Sequence, residues 1–432
     1  MKRILILGLL ILVVLALVGI YSVRSADIAK TTVEASAPNA FLPEKLKAYV
    51  EKYDAMGPHR TGEPSELERA NWLDQTLSSF GYQTRRQSFD LLTDLDVKAD
   101  LKINGSAIAA IPQFPVTSTA KDVSGPISLW NPDGNEDYEG KIILIDIPLS
   151  RYISTLAQES LYEPIKMASE SGALAVLVMI RSECGTYKML NAAVSLPEWS
   201  VPVVQVGNRD VDALLRAASR GQSALLAVTA SRGMAMGINV IAEIGPKNLS
   251  PTIVSTPHSG WFNNAGERGS GVAAFLALAE WASSQTDRHF IFVANSGHER
   301  GNLGAEKYLE ELAPSPDASA LWVHIGANVG STEMDGSINS SRFLMTNWNH
   351  ALRSGSLFRG QAGFKMPIPL ELGLAQGELK NVHAAGYKNI LGVFGSSARH
   401  HCANDRIDAV SFGATKKAAL SLATFIEMSA SD

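Results

Sequence analysis

Six side chains could carry chemistry in this sequence: His258, Glu267, His298, Glu299, His324 and His401. Imidazoles and carboxylates are the usual ligands of zinc and related divalent ions. Five of the six lie in or just after runs that read as buried strands. PTIVSTPH ends at His258, HFIFVANS delivers His298 and Glu299, ALWVHIGA passes through His324, and NILGVFG precedes His401. Glu267 lies in the loop between the first of these runs and the helix that follows it. Side chains delivered from several strand ends are how an open α/β sheet builds an active site, and recurrence at one structural position favours a metal site over isolated core histidines. Other chemistries lack their signatures. Position 302 is Asn, so His298-Glu299 does not open H-E-x-x-H, and the chain has no Walker A loop, G-x-S-x-G elbow or G-x-G-x-x-G turn.

The elements that must position these residues alternate in type. GVAAFLALAEWAS, GAEKYLEEL and the C-terminal AVSFGATKKAALSLATFIEMS read as helices between or after the strands, which predicts an α/β fold with a mostly parallel sheet covered on both faces. Upstream, KLKAYVEKYDAMG and ELERANWLDQTLSSFGY read as amphipathic helices, and residues 83–125 alternate as strands do. GKIILIDI, IKMASESGALAVLVMI, VPVVQVG and DVDALLRAASRGQ form a smaller β/α unit without a cluster of ionisable groups. The expected organisation is residues 46–122 and 231–432 as the main domain, with 123–230 inserted as a lid or substrate-shaping unit.

With 38 basic and 43 acidic side chains, a net charge of −5 and no basic stripe, nucleic acid is not an expected partner. The first residues, MKR, precede an unbroken apolar run from Ile4 to Val23, close to the ~20 residues that span a bilayer. Residues 1–26 are therefore expected to be an N-terminal membrane anchor or signal, with residues 27–45 a polar linker and the rest extracytoplasmic, in the periplasm or at the cell surface. Cys184 and Cys402 are the only cysteines: one bridge or two free thiols are equally compatible with the sequence.

The order of these motifs resembles the co-catalytic zinc aminopeptidase and glutamate carboxypeptidase family, which also includes glutaminyl cyclases and the transferrin receptor. HRTGEPSELERANWLDQTLSSFGY is similar to that family's Arg-x-x-Gly and helix opening, and residues 123–230 resemble its protease-associated insert. TPHSGW offers His258 for the family's first metal histidine. NAGERGSGVAAF offers Glu267 for the bridging aspartate just ahead of a Ser-Gly that opens a helix. SGHERGNLGA places His298 and Glu299 where a glutamate base and a glutamate ligand are expected, WVHIGAN places His324 at an aspartate ligand, and His401-Cys402-Ala403-Asn404-Asp405 matches the last histidine motif.

The resemblance implies that His258, Glu267 and His324 form one zinc site and Glu267, Glu299 and His401 a second, with one or two ions held. Gly260 stands where an aspartate would orient His258, a loss that weakens metal affinity, and His324 removes a negative charge, which disfavours double occupancy. His298 has three readings: general base, extra ligand or inert residue. Asp405 is implied to orient His401. Trp261 and Arg268 are as compatible with a substrate pocket as with loop packing, and His400 reads as a solvated neighbour. The expected function is a metal-dependent hydrolase acting on a peptide or small amide substrate. Its rivals are a catalytically inactive peptidase-like scaffold and a glutaminyl-cyclase-like acyltransferase.

Overall fold

The strands that carry the candidate ligands are buried on both faces because their side chains feed two different cores. The computed structural model describes residues 25–430 except 132–135, 150, 152–153 and 157–158, so the apolar run Ile4–Val23 lies outside the described residues. Its strands are β1 (Gln83–Ile103), β2 (Ser106–Ile108), β3 (Ala110–Pro112), β4 (Val123–Leu129), β5 (Ile142–Ile147), β6 (Ala175–Ile180), β7 (Val203–Val206), β8 (Ser223–Ile244), β9 (Thr252–Pro257), β10 (Phe290–Asn295), β11 (Leu321–Ile325), β12 (Arg342–Thr346), β13 (Ile368–Pro369) and β14 (Ile390–Gly395). The helices are α1 (residues 25–36), α2 (Pro43–Ala55), α3 (Ser65–Ser79), α4 (Glu159–Ser169), α5 (Val211–Ser219), α6 (Ser270–Ala282), α7 (Leu303–Glu311), α8 (Trp348–Leu357), α9 (Glu378–Ala384) and α10 (Phe412–Ser429).

The strand order is β13-β12-β14-β11-β9-β10-β8-β4-β5-β6-β7-β3, with β1 and β2 off this path. In the main domain β10, β9, β11 and β14 run parallel, flanked by antiparallel β8 and β12. The two-residue period of a strand sends neighbours to opposite faces. Val254, Phe292, Val323 and Val393 join one core with α2, α3, α6 and α10, while Ile253, Val293, Trp322 and Ile390 join another with Tyr308 of α7 and Leu379 of α9. Helix α6 (SGVAAFLALAEWA) is apolar around nearly its whole circumference and almost wholly buried, as such a helix must be. Its N-terminal end carries Glu267 on the π-helical turn Ala265–Gly269.

A third core surrounds β4–β7, α4 and α5. It departs from the expected 123–230 boundaries, because Leu101, Ile103, Phe114, Val116 and Trp261 also belong to it. The long antiparallel pair β1–β8 joins this unit to the main sheet without a break in hydrogen bonding beyond a bulge between Leu95 and Lys98. Residues 27–45, expected to be a linker, differ further: α1 is helical, Val33, Ala40 and Phe41 are buried in the main core, and the Trp281 indole donates to Ser36 Oγ at 3.2 Å. Polar composition hid three apolar residues that suffice to dock the segment. No described helix is long and apolar enough to cross a membrane. Cys184 and Cys402 form a disulfide, so of the two states open to the sequence the bridge is the one adopted.

Candidate metal centre

Glu267, His400 and His401 converge at the carboxyl ends of the parallel strands, each offering one ligand atom, all within 4.8 Å of one another. Glu267 Oε1 lies 3.3 Å from His401 Nε2, and Glu267 Oε2 lies 3.6 Å from His400 Nδ1. Burial works against the Glu267 charge, but His401, His400 and Arg268 outweigh it and hold the carboxyl well below its ordinary range. His401 adopts a left-handed backbone (φ 63°), which lets its own N–H reach Glu267 Oε2 at 3.2 Å. Its Nδ1 donates to the Met189 carbonyl at 2.9 Å, so Nε2, on the Glu267 side, is the atom left for a metal ion, which would displace any proton there. The two rings stack with centroids 4.1 Å apart. Glu267 Oε1 is buried without a hydrogen bond and has only the Arg268 guanidinium, at 2.9 Å, as an ion partner, so lone-pair capacity remains for a metal ion. The residues therefore fit one divalent ion through a His2Glu donor set that leaves a position open, the arrangement used at catalytic zinc. His400, read from sequence as a solvated neighbour, is buried and joins this cluster.

The other expected ligands are placed differently. His258 is fully buried, but both ring nitrogens are committed: Arg69 Nε donates to Nδ1 at 2.7 Å, and Nε2 faces the Ile238 carbonyl at 2.9 Å. Burial, reinforced by the Arg69 charge, pushes its pKa down to about 3, so the ring is neutral. Glu299 spends Oε1 on the Thr61 N–H at 2.7 Å and Oε2 on the Ser259 hydroxyl at 2.8 Å. Neither residue joins Glu267, and both are tied into the surrounding protein.

His324 and His298 line the same cavity as His400 and His401. The Trp322 indole donates to Ser255 Oγ, which lies 3.0 Å from His324 Nδ1 and fixes the ring. Burial, then Arg268, pushes His324 down to about 3. His298 Nδ1 faces Glu378 Oε1 at 3.5 Å. Burial, then Arg268, keeps His298 well below its ordinary pKa. Glu378, which sequence reading missed, is buried at the start of α9; burial pushes its carboxyl up to about 7 despite a 3.0 Å hydrogen bond from Asn295. A carboxylate behind a cavity histidine is the signal that a contact map would have supplied, since 80 residues separate the two in sequence.

Asp405 supports the centre by another route than expected. Its two oxygens accept the backbone N–H groups of Gly266 and Glu267, each at 2.9 Å, and so fix the turn carrying Glu267 rather than the His401 ring. Burial pushes this carboxyl up to about 8. Trp261 packs 5.2 Å from Phe114 in the third core and donates to Asn191 Oδ1 at 2.9 Å, so it reaches the cavity only through Asn191. Arg268 lines the cavity directly, with Nη2 2.9 Å from Glu267 Oε1.

The cavity holds about 420 Å³, within the range of small-ligand sites. No protein-family model matches the chain, and no curated protein matches it. Solved structures do. A peptidase M28 precursor from Shewanella amazonensis superposes with a TM-score of 0.75 at 16% identity, over 94% of this chain and 97% of that one. The zinc aminopeptidase BSAP from Bacillus subtilis gives 0.70 at 20% identity, over 89% and 94%. An aminopeptidase from an Aneurinibacillus strain gives 0.63 at 19%, over 91% and 95%. The chain thus has the zinc-exopeptidase fold expected from its motif order: a mostly parallel sheet flanked by helices.

Proposed function

We propose that this protein is an extracytoplasmic, zinc-dependent hydrolase of a peptide or other amide bond, with one ion held by Glu267, His400 and His401. The observation that carries the reading is that buried His2Glu cluster, opening onto a cavity at the strand ends of a zinc-exopeptidase fold. A bound zinc would supply Lewis acidity, polarising a carbonyl and acidifying water. Asp405 holds the Glu267 turn in place, and the Met189 carbonyl holds the His401 tautomer. His298 is neutral and faces the cavity; with Nδ1 turned to Glu378, its Nε2 is the atom suited to accept a proton from attacking water. Glu378 is then a positioning residue that orients the ring and steadies its charged form. The Arg268 guanidinium, a fixed cation beside Glu267, favours one ion over two.

The extracytoplasmic placement is supported by the N-terminal apolar run and by the Cys184–Cys402 bridge, which persists in oxidising compartments. A second reading, a non-catalytic binding protein on the same fold, is favoured by the commitment of His258 and Glu299 to hydrogen bonds. Metal analysis of the purified full chain separates the two. The hydrolase reading expects close to one zinc per chain, and an amide-cleaving activity on a mixed short-peptide pool that a chelator abolishes and zinc restores. Zinc-free protein with no cleavage under zinc repletion would leave the binding-protein reading.

A further inference from the structure

The buried Arg69 and Arg342 spend their nitrogens on acceptors, whereas Arg300, away from the cavity, leaves Nε and Nη1 without one. Arg69 donates Nε to His258 and Nη2 to Glu66, and Arg342 gives Nε and Nη2 to the Ala362 carbonyl. Arg268 is different. It is 1% exposed and lines the cavity, yet neither Nε nor Nη2 makes a hydrogen bond; the 2.9 Å approach of Nη2 to Glu267 Oε1 is an ion contact out of line for one. Nε thus has no acceptor, and Nη2 has only the off-line carboxylate of Glu267, at the wall of the cavity.

The rest of the cavity shows what would use them. Among the described residues, its charged or titratable lining side chains are Arg151, Arg268, His298, His324, His400 and His401, and none of these is a carboxylate. Arg151 is already engaged by Glu333 and Glu183, which leaves Arg268 as the cation facing the space. Glu267 sits behind it, but its charge is shared with whatever cation the cluster holds. A buried guanidinium with its counter-charge drawn away is unfavourable until an anion arrives. Carboxylate is the anion whose geometry matches the guanidinium fork. Beside it, Phe343 and Phe394 stack at 5.6 Å and 16°, giving an apolar wall, and Gly326, Ala327 and Gly377 leave room against it. An α-ammonium would find no acidic partner among the lining side chains.

We propose that Arg268 is a carboxylate-binding subsite, so that the cavity takes ligands carrying a free carboxylate next to an apolar or aromatic group. Taken with the hydrolase reading on which it builds, this selects peptides or acylated amino acids presenting a free carboxyl end, not a free amino end.

The test is calorimetric titration of the full-length protein with 3-phenylpropionate, 3-phenylpropan-1-ol and 3-phenylpropylamine, none of which has a scissile amide. Each is run on zinc-loaded and chelator-dialysed protein, with zinc content measured on the same samples. The expected result is that on zinc-loaded protein the carboxylate binds about 10-fold or more tighter than the alcohol and the amine, with a smaller preference once zinc is removed and Glu267 pairs with Arg268 alone. R268Q should lose that preference, and R268K should keep part of it, because the charge remains and the fork is lost. Should R268Q fail to fold, the three-ligand ranking on wild type and the R268K response still decide. Amine binding at least as tight as carboxylate overturns the proposal. So does carboxylate binding that requires zinc and is unchanged in R268K or R268Q, since the ion would then be the receptor. Wild-type protein that takes up no zinc when zinc is offered, yet prefers the carboxylate, refutes the hydrolase reading while supporting this subsite.

Discussion

Two histidine-bearing, charged and fully buried regions lie near each other in the main domain and are built on opposite principles. Around Arg69 every charge is answered, and His59 Nε2 is the one member atom of the network left without a hydrogen bond. Arg69 Nη2 donates to Glu66 at 2.6 Å, Glu66 Oε1 accepts the Ile238 N–H at 2.9 Å, and the remaining nitrogens of Arg69 meet His258 and His59. Around Glu267, atoms are left open: Glu267 Oε1, Arg268 Nε and Nη2, His298 Nδ1 and Glu378 Oε1 are buried without hydrogen bonds. A satisfied network fixes structure, whereas an unsatisfied one is held by its surroundings for a ligand. The contrast separates His258 from His401, which the sequence presents as equivalent.

The contrast can be broken most sharply by paired substitutions. E267Q should strip the metal, taking zinc from about one ion per chain to none by elemental analysis. H258Q should retain the ion while lowering unfolding stability by about 1–3 kcal/mol in urea, the cost of leaving a buried partner unanswered. Retention of zinc by E267Q, or its loss in a folded H258Q, would reverse the assignment. R69A attacks the satisfied network directly. It leaves Glu66 buried without its partner, so denaturant titration should show a loss of about 3–5 kcal/mol with metal content unchanged.

Glu378 sharpens the comparison through pH. Its folded pKa of about 7 lies above the ordinary 4.5, so the folded state binds its proton more tightly than the unfolded chain does. That contribution is full below about pH 4.5 and is lost as pH rises through about 7, amounting to roughly 3 kcal/mol over the interval. E378Q should flatten this part of the stability profile; an unchanged profile would show that the carboxyl is not held protonated. The smallest effect belongs to a site outside both regions. Ser411 caps α10 by accepting the Ala414 N–H at 3.3 Å, and S411A should cost about 1 kcal/mol without altering metal content.

The fold was legible because its signals are local. Runs such as IILIDI and HFIFVANS are short and rich in β-branched or aromatic residues and so read as buried strands, and the loops that follow parallel strands lie along one edge of the sheet. The location of a site at that edge followed, as did Glu267 and His401 as neighbours within it. What the sequence hid depends on distant partners. His258 looks like a ligand until Arg69, 189 residues earlier, occupies Nδ1. Glu299 is taken by Thr61, 238 residues away. His400 and His401 cannot be ranked without the left-handed turn that brings both rings to Glu267. Glu378 lies in no motif, and only the packing of α9 brings it to His298.

The disulfide has a consequence for how the protein comes into being. It joins Cys184, in the smaller unit, to Cys402, the neighbour of His401, across 218 residues. His401 also takes its orientation from Met189, five residues beyond Cys184. The loop carrying His400 and His401 therefore gains its tether only once synthesis has passed residue 402. A nascent chain carries Glu267 before it carries His400 and His401, so the three-residue cluster is complete only after those residues are made, and oxidation of the two cysteines then ties their loop to the smaller unit.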